Sequence, residues 1–373
     1  MRNMIASLLL LFPVVTLLPR DVCAQTAIDQ EFSSTQENSN DFLNALPQEA
    51  VPLIITASFA LRDINFVDDE AETFDFTGVL KFSWHDPRQA FDPADAGIKE
   101  KLYIGNFQFN EVFTGWWPQA VLVNESGMYD KHGVLLRILP NGTLTLIEKV
   151  NATAKTDLDL RRYPFDTQRL EAVFEVLGFD RNEVVLQTSS DTEVEVLHPD
   201  EGFRMPQWHL SGITATVADR KFSISGDETV RSTFVIRIDL QRKSLFILRL
   251  IVLPIIIIVM LSWSVFWMEK ASLGDRINIS FIGILSVVVF QMVIGEILPR
   301  ISYFTLMNAL LNVSFFTMCA TVIINLRVSS LDRQGKSAEG DELDRRCRWM
   351  FPLTYFGLIL VFVVGSHLLP PLE

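Results

Sequence analysis

Apolar residues recur along this chain in two different rhythms. From about residue 50 to 242 they alternate with more polar neighbours, as in Phe76, Gly78, Leu80, Phe82 and Trp84, in Leu170, Ala172, Phe174 and Val176, and in Phe234, Ile236, Ile238 and Leu240. A period of two puts such residues on one face of a strand, so these runs predict half-buried strands. Pro140-Asn141-Gly142, between runs 134–138 and 143–147, supplies the turn of a hairpin. Regular strand spacing without a helical period predicts an all-β, immunoglobulin-like sandwich. After residue 244 the rhythm changes to long apolar runs near 245–267, 275–298, 303–326 and 349–369. Each is close to the roughly twenty residues that cross a bilayer core, which predicts a four-helix transmembrane bundle. Pro254 interrupts the first run, and neighbouring helices can satisfy the carbonyl it frees.

The second apolar run is chemically distinct. Asp275 and Glu296 stand near its ends, and Asn278, Ile282, Leu285, Val289 and Met292 follow one another at alternating steps of four and three. That spacing places them on one helical face. Ionisable groups are costly in a bilayer and face water or a partner, so one reading of the segment is the wall of a pore. The other is an ordinary spanning helix whose charges sit at the headgroups.

The chain's organisation follows from these rhythms and from its ends. Arg2, the apolar run Ile5–Leu18 and Val22-Cys23-Ala24 before Gln25 predict a signal peptide over 1–24. Residues 25–45, rich in Gln, Ser and Asn, read as a flexible leader, 46–243 as the exported sandwich and 244–373 as the membrane domain. After cleavage only Cys319 and Cys347 remain, both in or beside membrane runs, so no disulfide framework holds the outer domain. Residues 25–242 hold 35 acidic against 19 basic residues, a net of −16 in a chain of net −13, which leaves +3 for the rest. An outer domain this acidic repels nucleic acid; solubility and the gathering of cations both account for it. Six bases (Arg327, Arg333, Lys336, Arg345, Arg346, Arg348) fill the connection between the third and fourth runs, and none follows His367. The cytoplasmic bias of Lys and Arg therefore places both termini outside, in a multi-pass membrane protein.

Five motifs then fall in one order: Trp84-His85-Asp86-Pro87-Arg88, Trp116-Trp117-Pro118, Arg161-Arg162-Tyr163-Pro164-Phe165-Asp166, Pro254, and Gly274-Asp275-Arg276 continuing through Leu285, Val289 and Glu296 to Pro299. In that order and with four spans, the chain from about residue 50 to 369 resembles the pentameric ligand-gated ion channels, the Cys-loop receptor family. Thr156 and Leu170 stand where eukaryotic members have cysteines, and the connection between spans three and four lacks their large insertion, as in the prokaryotic branch. The resemblance implies a homopentamer in a bacterial inner membrane, with five second spans around a central pore lined by Gly274, Asn278, Ile282, Leu285, Val289, Met292 and Glu296. Ile282, Leu285 and Val289 would stack as apolar rings that block ions by dewetting, which makes them the expected gate. Asp275 and Glu296 would ring the two mouths with carboxylates and favour monovalent cations. In the family an acid followed by a base, here Asp275-Arg276, goes with cation selectivity, while Gly274 leaves its level without a side chain. Asp69, Asp166 and Arg242 would form the triad coupling the two domains, acting on a linker from Arg300 to Tyr303.

The resemblance is weakest at the agonist site. The family's aromatic positions correspond to Val79, Val123, Leu177 and Phe179, and the capping loop Lys221–Thr233 holds Gly226, Asp227 and Glu228 without Tyr or Trp. A cation would find few π faces there, which argues against a simple quaternary amine. The stimulus is then an unidentified small molecule or protons; His85, His132, His198, His209 and, by resemblance, Glu72 are candidate proton acceptors. No cofactor, metal or nucleophile spacing is present, and nothing points to an enzyme. The partners implied are other copies of the chain, permeating cations, the stimulus and membrane lipids. The alternative is a membrane-anchored extracellular sensor or binding protein without conduction; four spans and a polar-ended second span count against it.

Overall fold

The computed structural model describes residues 45–47, 52–188, 195–196, 205–224, 227–268, 272–297 and 303–368. The expected signal peptide and nearly all of the expected leader lie outside the described residues. Eleven strands precede the four long helices among those residues: β1 (Leu53–Asp68), β2 (Thr73–His85), β3 (Lys101–Ile104), β4 (Ala120–Leu122), β5 (Glu125–Ile138), β6 (Thr143–Lys155), β7 (Thr167–Val176), β8 (Val184–Thr188), β9 (Glu195–Val196), β10 (Trp208–Ile224) and β11 (Asp227–Arg242). One sheet runs β3-β5-β6-β2-β1-β8, with β9 beside β1, and the other runs β10-β11-β7-β4.

The alternating residues of β2, β7 and β11 point between the sheets and are buried. Phe59 and Phe76 of the first sheet meet Phe174 of the second at ring-centroid distances of 6.3 and 6.5 Å, so the core is aromatic at its centre. The expected hairpin is the β5–β6 turn, with Ile138 opposite Leu144. Gly142 there has φ +80°, and a Cβ would come within 2.6 Å of the Asp86 carbonyl oxygen. Only glycine fits both demands. Asp86, fully buried, receives the Arg88 guanidinium through two bonds of 2.8 Å, and its backbone N–H donates to Gly142 O at 2.9 Å. The Trp84–Arg88 motif thus fastens β2 to this turn.

Four helices long and apolar enough to cross a membrane follow: α1 (Leu245–Trp267), α2 (Leu273–Ile297), α3 (Leu306–Arg333) and α4 (Ser337–Leu368). In α1 a π-helical turn, Leu248–Val252, ends two residues before Pro254, which has no N–H to donate. Ile251, Ile255, Val259 and Trp263 of α1 are buried at four-residue steps, and Trp263 meets Tyr355 of α4 edge-on at 5.5 Å. The basic stretch 327–348, expected as a loop, is helical instead: only Gln334, Gly335 and Lys336 separate α3 from α4. Val328, Leu331 and Cys347 stay buried at helical spacing, so the two helices keep packing beyond the apolar spans. At about 1.5 Å per residue α4 is roughly 48 Å long, well over the ~30 Å hydrocarbon core.

Candidate functional site

The sandwich meets the helices through a buried ionic cluster. Arg242 ends β11, three residues before α1, and its guanidinium donates from Nη1 and Nη2 to both oxygens of Asp69 at 2.8 Å. Its Nε and Nη2 donate to Asp166 at 2.8 and 3.1 Å. Asp69 comes from the turn after β1 and Asp166 from the residue before β7, so three separate segments converge. The Arg242 side chain is 2% exposed and that of Asp166 1%. Gln168 Nε2 also donates to Asp166, at 2.6 Å.

Charge buried this deeply holds only when paired and hydrogen-bonded. Burial alone would lower the Arg242 pKa, but its bonds to Asp69 and Asp166 outweigh it and raise the value above the ordinary one. Burial also pushes the Asp69 carboxyl up, against the pull of Arg242, and moves Tyr163 up to about 12. The Arg242 guanidinium lies 4.0 Å from the Trp208 ring and 4.8 Å from the Tyr163 ring. Tyr163 belongs to the Arg161–Asp166 motif, but nothing in that motif marks it as the floor under Arg242; the only signal for Trp208 is its register opposite Arg242 in the β10–β11 hairpin.

The segment 157–166 seats this cluster on the helices. Ser244 Oγ donates to Pro164 O at 2.6 Å, and the N–H of Leu306, the first residue of α3, donates to Arg161 O at 2.9 Å. Tyr303 Oη donates to Leu158 O and accepts from the Leu160 N–H, both at 3.1 Å. Arg162 Nε donates to Ser366 O near the end of α4 at 3.0 Å. One turn therefore touches α1, α3 and α4. Arg300 lies outside the described residues. Glu72 closes the same β1–β2 turn as Asp69, at φ +54°, and its carbonyl accepts from the Thr156 N–H at 2.9 Å.

The residues expected to line a pore share one side of α2. Gly274, Asn278, Ile282, Leu285, Val289, Met292 and Glu296 stand on its open side, and Leu285 is 66% exposed despite its apolar chain. Arg276, Ser280, Gly283, Val287 and Ile294 occupy the opposite side and are buried. Asp275 is exposed and bonded to Ser272 Oγ at 2.7 Å.

The expected agonist residues divide between the sheets. Val123 and Leu177 hold to the β4–β7 end through bonds to Val173 O and Gln119 O, and Phe179 meets Trp116 edge-on at 5.7 Å. Val79 lies in the other sheet, opposite Ala60 and Lys149. Asp227 begins β11 opposite Ile224. Beside this region Arg231 pairs with Glu175 at 2.7 Å and covers the Phe222 ring at 4.2 Å, a set that alternation along the strands does not reveal.

A β-sandwich carrying a buried ionic seat on four apolar helices defines a membrane receptor class, and sequence comparison agrees with it. Residues 34–244 match the neurotransmitter-gated ion-channel ligand binding domain, and residues 251–338 match the neurotransmitter-gated ion-channel transmembrane region. The chain belongs to the neurotransmitter-gated ion-channel family, as a multi-pass membrane protein of ligand-gated channel type. It is similar to a proton-gated ion channel of Gloeobacter violaceus, 26% identical over 84% of this chain and 83% of that one. It is also similar to a mouse gamma-aminobutyric acid receptor subunit gamma-1, 24% identical over 79% of this chain, and to a Xenopus laevis acetylcholine receptor subunit beta, 24% identical over 74%. The matched region spans only 62% and 56% of those two animal subunits.

Proposed function

We propose that this chain forms a homopentameric, cation-selective channel in a bacterial inner membrane. Residues 46–243 face outward, 244–373 form the membrane domain, and both termini lie outside the cytoplasm. The observation that carries this reading is the exposed face of α2, on which apolar side chains line up with Asn278 and Glu296 while the opposite face is buried. Facing lipid, such a stripe would leave Asn278 and Glu296 without water; around a five-fold axis it lines the pore. Ile282, Leu285 and Val289 then form the dewetting gate, and Asp275 and Glu296 set the sign of the permeating ion.

Arg242, Asp69 and Asp166 transmit movement of the sandwich to the helices, together with Arg300 in the following linker. Their buried, many-bonded geometry supports that role, because Asp166 ends the segment 157–166 that is bonded to the helical region and Arg242 leads directly into α1, so a shift of the cluster is passed to both. The stimulus is a small molecule bound near Val79, Val123, Leu177, Phe179 and Asp227, or protons, with Glu72 as acceptor; the proton-gated relative favours the second. Purified protein in planar bilayers under a sodium chloride gradient, across pH and a panel of amines, tests the reading. Reversal potentials that follow sodium support it. Reversal at the chloride potential refutes the selectivity, and no current under any condition refutes the channel.

A further inference from the structure

The base that follows Asp275 does not join it. Arg276 turns to the buried side of α2, where it is 7% exposed, and its Nη2 donates to Asp344 Oδ1 at 2.8 Å. Asp344, 9% exposed, belongs to the part of α4 beyond the apolar span, 68 residues away in sequence. The surroundings are tightly closed. Ser280 Oγ donates to Arg276 O and accepts from Asn325 Nδ2, both at 3.2 Å, and Cys347 of α4 is fully buried nearby. Among the described residues Arg276 Nε finds no hydrogen-bond partner, and Asp344 is the carboxylate that holds this guanidinium in place.

We propose that Asp344 is a positioning residue for ion permeation: it keeps the Arg276 charge away from the channel axis, so that Asp275 alone sets the field at the inner mouth. The inference rests on reading α2 as the pore wall. Arg276 and Asp275 are sequence neighbours, and an arginine stem is long and flexible. A guanidinium left unpaired in a dry site carries a large penalty, which it relieves by turning toward water. Its neighbours Gly274 and Asp275 are exposed at this end of α2, and on the pore reading that side opens on the mouth, to which five subunits would bring five positive charges. Cations would then meet repulsion where Asp275 now attracts them. The helical extension of α4 thereby serves permeation, because it brings a carboxylate to the base of α2.

The test compares single-channel currents of the full-length protein in planar bilayers for wild type, Asp344→Asn, Arg276→Gln and the combined Arg276→Gln/Asp344→Asn. Asp344→Asn should lower cation conductance about threefold at low salt, with the deficit shrinking at high salt as the charges are screened. The combined variant should recover to the level of Arg276→Gln, because no stray charge remains. Equal conductance of Asp344→Asn and wild type overturns the proposal, as does a combined variant that conducts as poorly as Asp344→Asn, since a purely structural role predicts no recovery. Should Asp344→Asn fail to assemble, the exchange of Arg276→Asp with Asp344→Arg decides: a restored pair predicts wild-type conductance, and a reduced one overturns the idea. A wild type without any current instead refutes the pore reading, and this inference with it.

Discussion

Arg242 and Asp166 are 76 residues apart in sequence, yet the Arg242 Nε lies 2.8 Å from Asp166 Oδ1 in a site almost closed to solvent. The Arg242 N–H also donates to Asp166 O at 3.1 Å, so backbone and side chain lock the same two residues. Removing one partner leaves the other charge buried and unmatched, a loss of about 3–5 kcal/mol. Arg242→Ala should permit export and assembly but severely impair opening. Combined with Asp166→Asn in a double-mutant cycle on the gating free energy, it should be non-additive by more than about 1 kcal/mol. Simple additivity would remove these residues from one coupling unit.

Asp69 holds its proton above its ordinary value of 3.8, chiefly because it is buried. Between the unfolded and the folded value, and only there, the folded protein keeps a proton that the unfolded chain has released. Its contribution to stability is complete below the unfolded value and is lost as pH rises through the folded one. Acidification also removes one of the two carboxylates that hold Arg242. Asp69→Asn lacks this acid-side gain, so its thermal stability should fall more steeply than that of wild type as the pH drops, and its currents at neutral pH should match those of acidified wild type. Profiles identical to wild type on both counts would clear Asp69 of any titrating role.

Leu285 sits 66% exposed in the middle of the α2 stripe. Leu285→Ser removes roughly 2 kcal/mol of apolar preference from each side chain, and every subunit carries the change. Spontaneous current or activation by a weaker stimulus is expected in bilayer recordings. An unaltered activation curve in an assembled protein moves the barrier to Ile282 or Val289.

Gly283 lets α2 approach its neighbours closely, since a Cβ there would lie 3.0 Å from Met318 Sδ and Cε of α3. Gly283→Val should force the helices apart and destabilise the membrane domain by about 1–3 kcal/mol, read as a lower melting temperature in detergent. Met318→Ala in the same background should recover part of the loss; no recovery would place the strain elsewhere.

Asn124 begins an Asn-Glu-Ser triplet, but its side chain is fully engaged: Nδ2 donates to Lys155 O at 2.6 Å and Glu171 O at 2.7 Å, and Oδ1 accepts from the Val173 N–H at 3.0 Å. Asn124→Ala leaves three backbone groups of β6 and β7 without this partner and should cost about 1–3 kcal/mol of unfolding stability. A variant as stable as wild type would mean that water replaces the amide freely.

Local pattern determined much of this protein. Alternation dictates which faces of β2, β7 and β11 are buried, because a side-chain period of two leaves a strand no other way to cover its apolar set. The Pro140-Asn141-Gly142 turn and the four apolar runs are legible for the same kind of reason: turn chemistry and bilayer thickness act on contiguous residues. The steps of four and three in α2 likewise mark a single face, which the structure leaves open.

Elsewhere the chain carries too little local signal. The stretch 327–348 reads as a loop because charge dominates its composition, whereas its helices are set by apolar residues packing across the α3–α4 hairpin. Trp208 and Tyr163 gain their places under Arg242, and Arg276 its turn toward Asp344, only when distant segments meet. A charged side chain reads the same in sequence whether it faces water or another charge. The difference is made by burial, since removal from water penalises an unpaired charge and so selects the partners that the tertiary fold brings within reach.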